Sequence, residues 1–355
     1  MQTPVHPYRL GFAVKIVGDG GIPTSDGRRW QSGPHLSRSL ELLGPAIDYL
    51  EKIDVRVFRL SSSTVPYGTH PDLPELDYRR QIDQCADQLA ELGARIRAAG
   101  IRLSTHPGQY TVINGPEPEL SRKSSLDLEQ DAALLDALGQ GPEGTVVVHV
   151  GGLYNDRPSA LDRWAAAYER LSDRAQARLG LENDDGPFGV DDVLELSRRT
   201  GVRVVYDQHH HRTHVTSVGI PPEEALAAAY ATWAPGVRPK VHLSSARLDV
   251  ETVAKKVPGT RRTQQVPVLP RLTPHADLVS PWDLVELLRI APGPLDVVLE
   301  AKAKDLALLH ARAALEKLFP DVAAREERRR PGDDAAAAEV VDTDDLLAPE
   351  RAVVP

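Results

Sequence analysis

The stretch YDQHHH, residues 206–211, sets one carboxylate and three consecutive histidines at what the sequence predicts to be the end of a β-strand. Imidazole and carboxylate are common ligands of divalent metal ions, and imidazole also carries protons near neutral pH. Polar residues crowd strand ends in many proteins that bind no metal, so the stretch alone is weak evidence. Its meaning depends on which other residues the fold brings near it.

The elements that must position this stretch are short β-rich runs alternating with longer segments of helical periodicity. One such segment, residues 77–100, has apolar residues at spacings of three and four and ends on Gly100. Eight strands, each followed by a helical run, predict a single (β/α)₈ TIM barrel over residues 1–320. An open doubly wound sheet is the alternative, but no G-x-G-x-x-G follows the first strand. The predicted strands are residues 8–14, 55–62, 101–106, 145–150, 179–184, 203–208, 240–245 and 296–301.

Polar residues stand at the carboxyl ends of six of these strands. In a barrel all such ends surround one mouth, so we expect a metal cluster at the C-terminal face. Together with His210 and His275 the set is larger than one ion needs and predicts two or three ions, bridged by Glu182 or Asp207. Nitrogen and oxygen ligands without a thiolate suit Zn²⁺, Mn²⁺ or Fe²⁺, and such clusters suit phosphodiester hydrolysis. The six residues, on strands three to eight, are His106, His149, Glu182, Asp207, His242 and Glu300.

Charge is distributed unevenly along the chain, whose formal net charge is −9. After residue 330 there are seven acids against Arg351, and we predict a charged, disordered tail over residues 321–355. Residues 246–274 hold six Lys or Arg against two acids and form a predicted basic insertion loop. This loop is either a flexible surface segment or a clamp on a phosphate backbone.

The composition also indicates where the protein works. The only cysteine, Cys85, lies in a helical pattern and is expected to be a buried structural thiol, which suits a reducing cytoplasm. No window approaches the apolar length of a membrane span, and the N-terminus does not resemble a secretion signal. We therefore expect a cytoplasmic protein with no membrane partner.

An ordered set of motifs runs through the chain: FRLSSSTVP, STHPGQYTVING, VVHVGGLYNDR, LENDD, YDQHHH, PKVHLSS, TPH and LEAKAKD. This set resembles the UV damage endonuclease family, a TIM-barrel family related to the apurinic endonucleases. The similarity covers roughly residues 8–317. It implies a metal-dependent enzyme that nicks damaged double-stranded DNA immediately 5′ of lesions such as cyclobutane dimers and 6-4 photoproducts, leaving a 3′ hydroxyl and a 5′ phosphate.

Carried over residue by residue, the resemblance implies roles at the site. Glu182, Lys240 and Glu300 are the implied catalytic residues, and Lys240 is either carboxylated or orients a ligand or phosphate. Three divalent ions are implied, with Mn²⁺ favoured over Zn²⁺ and Mg²⁺. The implied metal ligands are His106, His149, Glu182, Asp207, His210, His242, His275 and Glu300. His209 and His211 are expected behind the ligands or in solvent.

Other residues are predicted to touch the DNA of a nucleoid-associated, monomeric enzyme. Gln109 and Tyr110 match the pair that probes damaged bases, with a packed turn as the structural alternative. Phe12 and Lys15 depart from the tyrosine and asparagine usual in the family, so a lesion contact there is in doubt. Further contacts are predicted for His70, Lys302, Arg261 and Arg262.

A sugar isomerase or epimerase on the same barrel is a functional alternative. Such enzymes use metal-bound carboxylates and histidines to move a proton on a small polyol. They need fewer ions and a closed pocket, so the number of ligands and the basic insertion favour the nuclease. A noncatalytic metal-binding DNA module would not need so many open ligands.

Overall fold

Eight parallel strands close into a barrel in a computed structural model, which describes residues 5–108, 110–214 and 219–328. The predicted TIM barrel is therefore confirmed, and each predicted strand is present in a shorter form. Around the barrel the strands follow the order β1-β10-β7-β6-β5-β4-β3-β2. The barrel strands are β1 (Tyr8–Ala13), β2 (Val57–Arg59), β3 (Arg102–Thr105), β4 (Thr145–His149), β5 (Leu179–Glu182), β6 (Arg203–Asp207), β7 (Lys240–Leu243) and β10 (Leu295–Leu299).

Helices cover the outside of the barrel and bury one continuous apolar core against it. They are α1 (Leu36–Lys52), α2 (Tyr78–Gln84), α3 (Ala86–Ala98), α4 (Pro118–Ala137), α5 (Arg157–Tyr168), α6 (Asp173–Arg178), α7 (Val190–Thr200), α8 (Gln208–Thr213), α9 (Pro222–Tyr230), α10 (Pro281–Ile290), α11 (Asp305–Leu318) and α12 (Pro320–Ala323). Among the described residues no helix is long and apolar enough to cross a membrane.

The segment predicted as one helix over residues 77–100 is two helices. They meet at Cys85, whose φ of −105° and ψ of 14° interrupt the helical path. The thiol is buried, as predicted. Gly100 follows the second helix with a φ of +64°, a left-handed conformation that favours glycine at a helix end.

An ion network closes the end of the barrel opposite the predicted metal site. Asp296 is fully buried and pairs with Arg9 and Arg102, each at 2.6 Å. Burial opposes the charge on Asp296, but the two guanidinium groups outweigh it and lower the pKa of its carboxyl. All three residues stand near the amino ends of their strands.

The predicted insertion loop contains an antiparallel hairpin between β7 and α10. Its strands are β8 (Glu251–Lys256) and β9 (Thr263–Val268), and we call it the arm. One face of the arm is half-buried and carries Val253 and Val266, while Arg261 and Arg262 are exposed at the tip. The root of the arm pairs Ala246 with His275 in a single antiparallel bridge.

The first residues of the predicted tail, 321–355, belong to the folded barrel domain. Residues 321–328 pack on the barrel: the Tyr8 amide donates to the Arg325 carbonyl at 3.2 Å, and the Glu327 amide to the Tyr8 carbonyl at 2.8 Å. The Glu326 side chain is buried in an ion pair with Arg312 at 2.7 Å. The remaining part of the predicted tail, residues 329–355, lies outside the described residues.

Candidate metal centre

The carboxyl ends of the strands bring the predicted ligands to one mouth of the barrel. His149, Glu182 and Asp207 are the last residues of β4, β5 and β6. His242 lies inside β7, one residue from its end, while His106 and Glu300 come directly after β3 and β10. The side chains form a cup, which we define by these six residues together with His210 and His275.

Glu182 is the hub of the cup. Its carboxylate is fully buried, and each of its two oxygens lies close to two histidine nitrogens. Oε2 lies 3.1 Å from His106 Nε2 and 3.6 Å from His149 Nε2. Oε1 lies 2.9 Å from His242 Nδ1 and 3.6 Å from His210 Nδ1. Burial opposes the charge, but the surrounding histidines outweigh it and hold the pKa of Glu182 well below its usual value.

Glu182 belongs to two groups of candidate metal ligands. Ligand atoms of Glu182, Asp207, His242 and Glu300 lie within 4.8 Å of one another, as do those of His106, His149 and Glu182. Two overlapping groups that share one carboxylate are the arrangement expected of a bridging ligand.

Glu300 is held in place by a cation that the sequence analysis did not identify. Arg59, at the end of β2, donates to its carboxylate. Burial opposes the charge on Glu300, but Arg59 and His242 outweigh it and lower its pKa. Arg59 could have been identified from the sequence, because it is a charged residue at the end of a predicted strand in the FRLSSS motif.

The turn after β6 explains the three-residue spacing in DQHHH. Asp207 caps α8 by accepting a hydrogen bond from the His210 amide at 2.8 Å, and this turn carries the His210 ring back to the cup. His210 Nδ1 lies 3.0 Å from the Asn183 carbonyl, and His275 Nδ1 lies 2.9 Å from that of Glu300. A carbonyl only accepts, so Nδ1 carries the hydrogen and Nε2 is left for a metal in both rings.

His210 also shows how the charge of the cup is balanced. Burial favours the neutral ring, but Asp207, Glu182 and Glu300 outweigh it and raise the pKa of His210 to about 10. The buried carboxylates thus favour the protonated, cationic form of the nearby imidazole, whose charge compensates theirs. In a site loaded with metal, the metal cations would provide this compensating charge.

His209 and His211 lie outside the cup. Both are buried, and each ring contacts a backbone carbonyl through Nε2: that of Thr273 at 3.0 Å for His209 and that of Ile220 at 3.0 Å for His211. They stand behind the ligands, and the solvent-facing alternative is wrong. Asn183, which the sequence analysis passed over within LENDD, fixes β6 by exchanging two 2.9 Å hydrogen bonds with the Asp207 backbone.

Lys240 lies one layer below the cup. It precedes His242 by two residues on β7, so both side chains point into the barrel. The amine is fully buried and Nζ has no hydrogen-bond partner among the described residues. Burial lowers its pKa well below the usual value, with nearby Arg102 adding to the effect.

The predicted DNA contacts are spread around the mouth and arm. Tyr110 is 82% exposed, so the packed-turn alternative is wrong for its ring. Phe12, by contrast, is fully buried against Phe58 and is a core residue. Gln109 lies outside the described residues. The other predicted contacts, all exposed, are His70, Lys302, Arg261 and Arg262.

The side chains of the cup fit divalent metal ions. Their ligand atoms are imidazole nitrogen and carboxylate oxygen only, which suits Mn²⁺ or Zn²⁺. Asp207 Oδ2, His242 Nε2 and His149 Nδ1 are buried and without a partner among the described residues. Unpartnered buried polar atoms are costly, so cations bound in the cup would supply interactions that the protein alone lacks.

The barrel and the cup together define a TIM-barrel protein with a group of imidazole and carboxylate side chains at its mouth that could hold metal ions. The sequence model described as UV-endonuclease UvdE matches residues 37–323. The chain therefore belongs to the UvdE family and is a DNA endonuclease, a hydrolase that acts on DNA.

Individual relatives agree with this assignment. A UV DNA damage endonuclease from Bacillus cereus (strain B4264) is 30% identical over 259 residues, which are 72% of this chain and 74% of the relative. The crystal structure of SacUVDE matches with a TM-score of 0.71 and 27% identity, over 88% of this chain and 99% of that one. Endonuclease IV from Thermus thermophilus shares the fold, with a TM-score of 0.51 at 20% identity over 87% of this chain and 99% of the other.

The charge balance of the cup predicts that metal stabilises the protein. At a Mn²⁺ concentration 100 times its Kd, we expect binding to the folded state to add about 2.7 kcal/mol to the free energy of unfolding. For a domain of this size that raises Tm by about 5 °C. Differential scanning fluorimetry with Mn²⁺ or EDTA measures the shift.

Glu182→Gln keeps the shape of the side chain and removes its charge, so we expect most of the metal-induced shift to be lost. The control is Glu169→Gln, an exposed carboxylate after α5, which should keep the full shift. A full shift in Glu182→Gln would contradict the role given to this residue.

Proposed function

We propose that this protein nicks double-stranded DNA immediately 5′ of UV photoproducts, using three divalent ions with Mn²⁺ as the preferred metal. Its substrates are cyclobutane dimers, 6-4 photoproducts and other helix-distorting lesions, and its products are a 3′ hydroxyl and a 5′ phosphate. The observation that carries the proposal is the buried carboxylate of Glu182, shared by two ligand groups in a chain that belongs to the UvdE family. The enzyme acts as a monomer on chromosomal DNA in the cytoplasm.

The ligands divide naturally among the ions. His106, His149 and Glu182 would hold one ion, and Glu182, Asp207, His242 and Glu300 a second. His210 and His275, whose ring centres are 5.7 Å apart, would hold a third ion together with Asp207. When bound, the ions supply an activated water and neutralise charge on the phosphate and the leaving oxygen.

The protein's own residues prepare this chemistry. Glu182 and Glu300 remain ionised, because their surroundings lower both pKa values, so they are ready to bind cations. Arg59 fixes one oxygen of Glu300 and limits its rotation. Lys240 is too deeply buried to touch a DNA phosphate, so we assign it a positioning role beneath His242 or carboxylation of its amine.

The exposed residues suit a polymer substrate. Tyr110, four residues after His106 in the chain, presents its ring to solvent, where it can insert into a stack of bases weakened by a lesion. Arg261 and Arg262 extend from the barrel on the arm and offer guanidinium groups to the backbone. His70 and Lys302 offer further polar contacts.

The sugar isomerase or epimerase alternative is less well supported. Family membership points to DNA, and a basic arm with an exposed aromatic residue has no evident use on a small polyol.

Nicking of irradiated plasmid tests the proposal. With Mn²⁺ we expect irradiated supercoiled plasmid to become relaxed while untreated plasmid stays intact, and we expect EDTA to prevent the reaction. Glu182→Gln should lower the rate by at least about 100-fold, because a positioned charge at the reacting centre is lost.

End-labelled oligonucleotides with one thymine dimer then locate the cut, and polymerase extension and ligation identify the two ends. Equal nicking of untreated plasmid, or no nicking of irradiated plasmid with metal, would contradict the proposal.

The arm predicts a defined salt dependence of DNA binding. If Arg261 and Arg262 each contact one phosphate, replacing both with glutamine should reduce the slope of log K against log salt by about 1.8. The loss of affinity should be similar for damaged and intact duplexes, because phosphate contacts carry no lesion information. Fluorescence anisotropy at several salt concentrations gives the slope.

A matched control removes two exposed cations at the opposite face of the barrel. Arg198 and Lys317 lie in the last turns of α7 and α11, so Arg198→Gln/Lys317→Gln should leave the slope nearly unchanged. Equal changes in both double variants would show that the arm is not a specific clamp.

A further inference from the structure

The root of the arm exposes a group of aliphatic side chains. Val250 directly precedes β8 and Leu269 directly follows β9, next to the pair formed by Glu251 and Val268, so the two strands bring them together. Leu248 and Leu272 line one groove at the same root. We call this surface the root patch, and its four side chains are 58–85% exposed: Leu248, Val250, Leu269 and Leu272. Apolar side chains exposed together mark a surface that binds a partner.

The rest of the arm also lacks partners. Its two strands pair only with each other among the described residues, so both outer edges are open. A two-stranded hairpin by itself is only marginally stable. Within residues 219–328, the one ion pair of the arm joins Arg247 to Glu251. Four cations toward the tip therefore have no carboxylate partner in that part of the chain: Lys255, Lys256, Arg261 and Arg262.

One segment of the chain has the chemistry that suits both surfaces. Residues 339–347 read EVVDTDDLL and lie outside the described residues. This acidic segment holds four acids and no Lys or Arg. Two aliphatic pairs, Val340–Val341 and Leu346–Leu347, flank three of the acids. Its aliphatic pairs can therefore cover the root patch while its carboxylates meet the unpaired cations.

The chain before the acidic segment is long enough to reach the arm. Arg328, the last described residue, pairs with Glu316 of α11 at 3.0 Å, toward the closed end of the barrel. The 14 residues of α11 rise about 21 Å from there to the mouth. Each six-residue strand of the arm adds about 20 Å. The 14 residues 329–342 can span about 46 Å, which covers this path.

Two other occupants match the arm less well. The arm of a second copy would place like charges together, since residues 246–274 hold six Lys or Arg against two acids. A DNA backbone matches the cations, but its phosphates offer no apolar partner to the root patch. The acidic segment supplies both kinds of contact.

We propose that the acidic segment binds the arm of its own chain, with its carboxylates on the cations of the arm and its aliphatic pairs on the root patch. This docking is independent of the proposed function. Its consequence rests on that function, because the acidic segment and the DNA backbone then compete for the same cations. Docking lowers the affinity of the arm for every duplex, and intact DNA, which offers no lesion contact, is released most readily.

A disulfide trap in the full-length protein tests docking without DNA. Leu269→Cys/Leu347→Cys places one thiol on the root patch and one in the acidic segment, and the only native cysteine, Cys85, is buried. The control, Leu318→Cys/Leu347→Cys, uses an exposed leucine at the end of α11 instead. Disulfide formation with oxidised glutathione is followed on non-reducing gels.

The order of the two rates decides the outcome. Without docking, the control pair should react faster, because the loop that it closes is shorter. With docking, we expect the pair on the arm to react at least about tenfold faster than the control, because the two side chains are held within disulfide distance. A control pair that reacts as fast or faster would overturn the inference.

Binding of intact duplex tests the competition. Leu346→Ser/Leu347→Ser removes the apolar contact and keeps every charge. If the acidic segment occupies the arm about nine-tenths of the time, freeing the arm should raise the affinity about tenfold, measured by fluorescence anisotropy. The matched control is Val353→Ser/Val354→Ser, an aliphatic pair beyond the acidic segment, which should bind as the wild type does. An unchanged affinity in Leu346→Ser/Leu347→Ser would also overturn the inference.

A charge-matched pair of variants separates docking from general repulsion. Asp342→Asn/Asp344→Asn/Asp345→Asn should raise the affinity for intact duplex by about the same factor as the serine variant. Asp333→Asn/Asp334→Asn/Glu350→Gln removes the same charge outside the acidic segment and should change the affinity much less. Equal increases in both variants would show repulsion without docking.

Nicking of irradiated plasmid separates this inference from the proposed function. If the wild-type protein nicks irradiated plasmid but the trap and the duplex affinities show no docking, only the inference fails. If the wild-type protein with Mn²⁺ does not nick irradiated plasmid, the proposed function fails, and the trap still decides whether the acidic segment binds the arm.

Discussion

Buried negative charge at the mouth of the barrel is the constraint on which the rest of the site depends. Glu182 is fully buried, and an isolated carboxylate there would be costly. Four histidines surround it, and Arg59 compensates its neighbour Glu300. Histidine and arginine side chains thus surround the two buried carboxylates and compensate charges that apolar neighbours could not. The same arrangement gives the cup the ligand types that divalent cations bind.

The two ends of the barrel differ in how their buried carboxylates are compensated. At the amino ends of the strands, Asp296 is paired permanently with Arg9 and Arg102, so that end is closed by protein charges. At the carboxyl ends, three buried side-chain atoms of the cup remain without partners among the described residues. Lys240 lies between the two ends, where burial lowers the pKa of its amine well below the usual value. The barrel therefore carries a paired ion network at one end and a group of candidate metal ligands, partly without partners among the described residues, at the other.

Much of the barrel and of the cup could be predicted from the sequence, because strands alternate regularly with helices and most strands end in a polar residue. Eight strands alternating with helical runs predicted the barrel, and six polar residues at six strand ends predicted the cup. The spacing from Asp207 to His210 predicted a turn that returns the second side chain. Contacts between distant segments could not be predicted in the same way. The pairing of Arg59 with Glu300 spans 241 positions, and the break at Cys85 depends on how two helices pack. The packing of residues 321–328 on Tyr8 likewise overrides their charged composition.

If Glu182 is a ligand shared between neighbouring metal ions, its carboxylate must contact both of them. Anomalous diffraction at the manganese edge from crystals soaked in Mn²⁺ locates the ions. We expect separate peaks within coordination distance of Glu182, one beside His106 and His149 and another beside Asp207, His242 and Glu300. A single peak without Glu182 among its ligands, or no peak in the cup, would contradict it.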